Sequence, residues 1–496
     1  MAFESMREFA EKLDANGELI RIGEPVKTDL EIAALADLEM KKPNGGKALL
    51  IEKPLLPNGA VSGFPVLINS MGSAKRMAMV LNVNHVDEVA GQLAYLLKAK
   101  PPKSFGEAWE LLKQGIGVLH AKPKNVSSGS CKDVILKPPL RQAQGERNGE
   151  GLDLLPILKC WPDDGGPFVT LPNVYTQDPD SGERNVGMYR MQVFDQWTTG
   201  MHWQVHKVGA RHGKRYYEKG EKMPVSVCLG GDPVCTFAAT APLPDGLDEV
   251  ILAGFLRRKS VPMVKCETND LLVPANSDFV IEGYVDPKEL RDEGPFGDHT
   301  GFYTPVDKYP VFHVTCITHR QDALYPATIV GKPPMEDFYM GDASVRIFVP
   351  VIKMNFPEIV DIALPPEGVF HNLVFVSIKK QYPYQAFKIM NGLWGMGQMM
   401  FSKIIVVVDA EVNVHDTSEV LFRICSNIDP QRDTLFTRGP CDSLDHAQNV
   451  ANIGSHVGID ATRKLAGEGY TRTWPERCVH PGELVNKMRQ VLDSGY

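Results

Sequence analysis

Apolar positions recur at helical spacing from the start of the chain. Met6, Phe9, Ala10 and Leu13 share one face of a helix predicted over residues 5–16, which Asn16-Gly17 stops. A strand follows over residues 18–22, and Asp29 is placed to cap a second helix running to about Met40. Apolar runs at 48–51 and 65–68 read as buried strands, and helices fit 74–82, 86–99 and 105–115. Residues 1–117 are thus expected to form an N-terminal α/β unit.

Beyond residue 118 the pattern changes to short β-like runs separated by turn clusters, as in a barrel or sandwich. Strands are expected at 168–171, 185–193, 225–229, 263–266, 279–284 and 311–318. One helix interrupts them at 247–256, and the polar stretch 140–151 reads as an exposed insertion. After about 325 the order becomes βαβ: a strand at 373–378, a helix at 384–400, and the near-continuous apolar strand 403–409, of the kind buried in parallel sheets. A helix at 418–428 and a strand beginning at 433 follow, and residues 483–492 form an amphipathic helix suited to docking on a neighbouring subunit. The expected division is 1–117, a barrel over 118–325, an α/β domain over 326–480, and a terminal oligomerisation helix over 481–496. The fold class is α/β (α+β).

At 496 residues the chain is long enough for more than one core. A net charge of −8 argues against a nucleic-acid-binding surface. No apolar run approaches the ~18 residues of a membrane span, and the residues after Met1 lack a signal-peptide pattern. Nine cysteines without Cys-x-x-Cys read as reduced thiols, so a soluble cytoplasmic protein is expected.

Familiar single-line motifs are absent. Gly395-Met-Gly397 lacks the third glycine of a dinucleotide fingerprint, and no phosphate-binding P-loop, nucleophile elbow or His-Glu-x-x-His occurs. The candidate chemistry is scattered. Residues 289–304 place Glu293 and Asp298 around Gly-Pro-Phe-Gly, with His299 next, on what reads as a loop. Alternation sends Asn185 and Arg190 to opposite faces of one strand unless a bend intervenes. A buried arginine there needs a carboxylate such as Glu293 or Asp298; an exposed edge-strand arginine does not. Gly200 to His206 is dense in polar and aromatic groups. Asn185, His206 and Glu249 together suit manganese or magnesium, although singly each reads as structural or solvated. The small-residue run Ala238 to Gly246 leads into a helix whose N-terminus favours an anion. Lys403 reaches a phosphate or snorkels.

Taken together these residues resemble the UbiD family of decarboxylases over nearly the whole chain. The matching stretches include Trp161-Pro-Asp-Asp-Gly-Gly-Pro-Phe168, Asn185-Val-Gly-Met-Tyr-Arg190, Pro244-Asp-Gly-Leu-Asp-Glu249, Glu293-Gly-Pro-Phe-Gly-Asp-His299, Asp429-Pro-Gln-Arg-Asp433 and Gly458-Ile-Asp-Ala-Thr-Arg463. The branch of menaquinone-pathway and hydroxybenzoate-type decarboxylases is the most similar. The resemblance implies a split flavin-reductase-like barrel between N- and C-terminal α/β domains, and a homo-oligomer, dimer or hexamer. It implies prenylated FMN from a flavin prenyltransferase, with Mn2+ (or Mg2+) and K+. It assigns Asn185, His206 and Glu249 as metal ligands. Met188, Tyr189, Arg190, Gln204, His206, Ala239, Thr240, Pro242, Glu249 and Lys403 are assigned to the cofactor. Arg190, Glu293 and Asp298 become the catalytic ionic network, and Asp298 in place of glutamate hints at aromatic substrates. Met188, Met335 and Phe436 are candidates for shaping the substrate pocket.

The implied chemistry is physically coherent. Loss of carbon dioxide from an aromatic or α,β-unsaturated acid needs an electron sink that side chains lack. An arginine orients the carboxylate, and a glutamate in a dry site delivers the proton. Two other readings stay open: a flavin oxidoreductase and a non-catalytic cofactor-binding subunit.

Overall fold

The computed structural model describes residues 2–98, 121–139, 150–203, 208–243 and 246–494. The expected helix at 105–115, most of the 140–151 insertion, and His206 with Gln204 lie outside them.

The first helix, Met6–Ala15, buries Met6, Phe9, Ala10 and Leu13, and Ser5 caps it by accepting from the Glu8 amide at 3.1 Å. The second, Glu31–Met40, begins after Leu30 in a left-handed conformation without a side-chain cap, so Asp29 does not play the expected part. Leu19–Lys27, Ala48–Leu55 and Val66–Ile68 form a sheet. Its fourth strand, Tyr325–Ala327, arrives from far along the chain and pairs parallel with Val66–Ile68.

The central sheet has nine strands. From one end its order is Phe168–Val169, Met191–Asp195, Thr198–Gly200, Asp307–His319, Phe279–Glu293, Met223–Leu229, Asn173–Gln177 and Arg184–Met188, with Val134–Leu136 also paired to Asp307–His319. Arg184–Met188, at one end of this order, is followed after only Tyr189 and Arg190 by Met191–Asp195, near the other end. The three Cα steps from Met188 to Met191 span at most ~11 Å, so the sheet must curl until its ends nearly meet. The single expected strand over 185–193 is therefore two strands, and Arg190 sits at the seam. Among the described residues, three α-helices, not one, accompany the barrel strands: Val208–Lys219, Pro233–Ala238 and Glu249–Arg257.

The helix Glu336–Asn355 leads to a five-stranded sheet ordered Ile359–Ala363, Leu373–Ile378, Ile404–Asp409, Ile453–Asp460, Thr434–Pro440. The three central strands run parallel, as the βαβ pattern implies, while both edge strands are antiparallel. The expected helix 384–400 ends at Trp394 and gives way to a 3-10 turn, Gly397–Phe401. The terminal helix Gly482–Ser494 has no buried residue. All nine cysteines are free thiols. No described helix is long and apolar enough to cross a membrane.

Candidate active site

Glu293 is carried by a regular strand, whereas Asp298 stands, as expected, on a loop, the one that closes a small hairpin. Glu293 is the last residue of the long strand Phe279–Glu293, and Phe296–Gly297 pairs with Tyr303–Thr304 in a small hairpin beyond it. The residues between are bolted down. Gln192 accepts from the Gly294 amide at 2.7 Å, Asp164 accepts from the Gly297 amide at 2.8 Å, and Gly165 donates to the Pro295 carbonyl at 2.8 Å. A side chain at Gly165 would collide with the Gly294 carbonyl, 2.2 Å from its Cβ, so the Trp161–Gly166 stretch is shaped to lie under the hairpin.

At the seam, Arg190 spreads its guanidinium over three partners. Nε donates to Glu293 Oε1 at 3.1 Å, Nη2 to Thr304 at 3.0 Å, and Nη1 to Asp298 Oδ2. The cation also stacks on Phe296, 4.5 Å from the ring centre. His202 Nδ1 lies 2.9 Å from Glu293 Oε1 and stacks on Tyr309. Glu293 is 1% exposed, and its second oxygen, Oε2, is buried with no partner. Gly200 leaves the room for it: a Cβ there would come within 2.7 Å of Oε2. Burial works against ionisation of Asp298, but the bond and charge of His299 and the charge of Arg190 hold its carboxyl far below the usual range. His299 is raised to about 9 against its burial by the same contact. His371, 2.9 Å away, is pushed down to about 4 by burial and by the charge of His299.

Asn185 and Glu249 come together elsewhere on the barrel. Both line a cavity of about 540 Å³, with Arg211, His212 and Arg215 on its wall. Glu249, the first residue of its helix, accepts from the Val186 amide at 2.9 Å. Burial nevertheless pushes its carboxyl up to about 7. Asn185 is 5% exposed, and its amide nitrogen has no partner. Burial leaves the Glu249 carboxyl raised, and with the side-chain carbonyl oxygen of Asn185 it offers the oxygen donors that a hard divalent ion takes, so these residues fit the metal. The helix N-terminus is less available to a phosphate than expected. Asp248 caps it, accepting from the Val250 amide at 2.8 Å, and pairs with Arg184 at 2.8 Å.

The remaining candidates are dispersed. Ala239 is buried after the helix Pro233–Ala238, Thr240 donates to the Phe237 carbonyl at 2.7 Å, and Pro242 is exposed. Met188 ends its strand, and Tyr189 is buried next to Arg190 with its hydroxyl held up by burial. Lys403 pairs with Asp445 at 2.6 Å. Met335 is fully buried, whereas Phe436 is 74% exposed on an edge strand. His202, Thr304, Phe296 and Tyr309 were not among the sequence candidates. His202 stood in a stretch noted for its polar and aromatic density, but only the paired strands bring it to Glu293.

Comparison with known proteins gives the class first. Three models of 3-octaprenyl-4-hydroxybenzoate carboxy-lyase match in tandem: the N-terminal domain at residues 10–94, the Rift-related domain at 134–333 and the C-terminal domain at 338–461. The chain therefore belongs to the UbiD family of decarboxylases, which are carboxy-lyases. An uncharacterized protein of Archaeoglobus fulgidus is 49% identical over 100% of this chain and 99% of its own length, and one of Helicobacter pylori is 42% identical over 92% and 73%. Among solved structures, vanillic acid decarboxylase of Sedimentibacter hydroxybenzoicus in closed form superposes with a TM-score of 0.83 at 24% identity, covering 100% of both chains. The UbiD-class enzyme HmfF of Pelotomaculum thermopropionicum in complex with FMN gives 0.79 at 26%, covering 98% of this chain and 99% of that one. An evolved dimeric form of HmfF in complex with prFMN gives 0.78 at 26%, covering 98% and 100%.

Proposed function

We propose that the protein reversibly decarboxylates an aromatic (hydroxybenzoate-like, polycyclic or heteroaromatic) or α,β-unsaturated carboxylic acid, without net redox change, using prenylated FMN. The observation that carries the reading is the Arg190 cluster: a buried guanidinium clasped by Glu293, Asp298 and Thr304, with Glu293 Oε2 left without a partner. The complexes of HmfF with FMN and prFMN support the choice of cofactor.

Arg190 holds the substrate carboxylate by charge-assisted bonds, and Asp298 with Thr304 keeps the fork in place. The bond from the carboxylate to the rest of the substrate breaks, carbon dioxide leaves, and the carbon left behind takes a proton from Glu293. Oε2 is suited to carry that proton, because Oε1 is already engaged by Arg190 and His202. Bound prenylated FMN supplies the electron sink. Asn185, Glu249 and His206 would hold Mn2+ or Mg2+, with K+ beside the cofactor phosphate and Lys403 exchanging Asp445 for that phosphate. Met188, Tyr189, Gln204, Ala239, Thr240 and Pro242 would line the flavin. A cytoplasmic homo-oligomer supplied by a flavin prenyltransferase completes the reading.

Glu293→Gln keeps the shape and the acceptor that Arg190 and His202 use but removes the transferable proton. Turnover of a responsive acid should fall by roughly 10²–10⁴, the usual worth of a general acid, while the flavin content of the purified protein stays constant. Full activity of the cofactor-replete variant, or wild-type protein that exchanges no labelled carbon dioxide into any aromatic or unsaturated acid, would sink the proposal.

A further inference from the structure

The hairpin that carries Asp298 meets the C-terminal unit at a cluster that the decarboxylation chemistry leaves unused. His299 Nε2 lies 2.9 Å from His371 Nε2, and a carboxylate oxygen of Asp442 joins them, all three donor atoms lying within 4.8 Å of one another. His371 follows two non-glycine residues held in the left-handed region, Val369 at φ 56° and Phe370 at φ 43°. Such strain persists only where the surroundings fix the backbone firmly.

We propose that His299, His371 and Asp442 form a site for a borderline first-row divalent cation, of the Co2+ or Ni2+ type, that clasps the hairpin to the C-terminal unit. The nitrogen separation is the first argument. Two imidazoles bound side by side at ~2.1 Å place their nitrogens ~3.0 Å apart at a right angle and ~3.4 Å apart at the tetrahedral angle. The observed spacing suits the right angle, and so a centre with further coordination positions. The second argument is the orientation of the ring. His299 Nδ1 is bonded to Asp298 Oδ1 at 2.8 Å, which turns Nε2 toward His371. A carboxylate behind a histidine is the arrangement that fixes ligand tautomers in metal centres. The third is an oxygen left over beside the pair. Asp337 and Asp442 both act electrostatically on His299, and Asp337 Oδ2 is buried with no partner. Two imidazoles and a carboxylate favour a borderline metal, whereas the oxygen-rich set at Asn185 and Glu249 favours a hard one. The site stands independently of the decarboxylation chemistry.

The test is equilibrium dialysis of the full chain against Co2+, in a background carrying Asn185→Ala and Glu249→Gln to remove the oxygen-rich site. One equivalent should be retained and should raise the thermal midpoint. Adding His371→Ala, or Asp442→Asn if the former does not fold, should weaken retention by at least the ~10–100-fold that loss of even an outer partner costs, and abolish the thermal shift. No retained Co2+ in the background protein, or retention unchanged by both further substitutions, overturns the site and leaves a hydrogen-bonded imidazole pair.

Discussion

The Arg190 cluster and the Asn185–Glu249 cavity lie on the same curled sheet and are built on opposite principles. Around Arg190 the charges answer one another: its guanidinium and the raised His299 imidazole face two buried carboxylates, with a hydroxyl and an aromatic ring beside them. In the cavity the balance is left incomplete, with the Glu249 carboxyl raised to about 7 by burial. The first arrangement is preorganised before any ligand arrives. The second waits for a charge from outside. A site meant to orient a substrate benefits from fixed geometry, whereas a site meant to capture a cation benefits from unsatisfied donors.

That contrast can be broken by mutation. Arg190→Met removes the cation that Glu293 and Asp298 share, leaving Glu293 to His202 and Asp298 to His299, so we expect a loss of about 3–5 kcal/mol in denaturant unfolding. A loss under 1 kcal/mol would mean that the cluster is not self-sufficient. Glu249→Gln should do the reverse in metal-free protein. A carboxyl whose folded pKa is raised adds stability below its unfolded value and loses it as pH rises through the folded one. The wild type should therefore weaken between about pH 4.5 and 7 relative to Glu249→Gln, by up to ~3 kcal/mol at neutral pH. Saturating Mn2+ should restore the wild type and leave the variant unchanged. An identical pH profile for the two proteins would remove the cavity from the comparison.

Smaller effects sharpen the same contrast. Gly200→Ala places a Cβ 2.7 Å from Glu293 Oε2, which should cost about 1–3 kcal/mol and lower turnover more than it lowers flavin binding. Asn185→Ala removes one donor from an already incomplete set. The apo protein should keep its stability within ~1 kcal/mol yet purify with little metal and little flavin, as read by elemental analysis and absorbance.

How much of this was legible in the sequence depended on how local each feature is. The first helix was readable because Met6, Phe9, Ala10 and Leu13 repeat at 3.6-residue spacing and all four are buried. The 403–409 run was readable because a strand covered on both faces is apolar throughout. The need of Arg190 for a carboxylate followed from the cost of burying a lone charge. The break after Met188 left no trace, because Tyr189-Arg190 carries no glycine, proline or asparagine and the alternation runs on. Two of the missed helices had similar causes. Val208–Lys219 is mostly polar with two glycines inside, and Pro233–Ala238 is too short to show a period. The contacts of His202 with Glu293 and of His299 with His371 join residues 91 and 72 positions apart, which only the assembled sheets bring together.

The strand Tyr325–Ala327 closes the N-terminal sheet against Val66–Ile68. A chain emerging from the ribosome must therefore hold three strands of that sheet with one edge unpaired until the whole barrel has been synthesised. At ~5–20 residues per second that interval is on the order of tens of seconds, long for an open strand edge in a crowded cell. Nascent chains stalled before residue 325 should consequently recruit chaperones and be cut readily near Val66, and those stalled well beyond 327 should do neither.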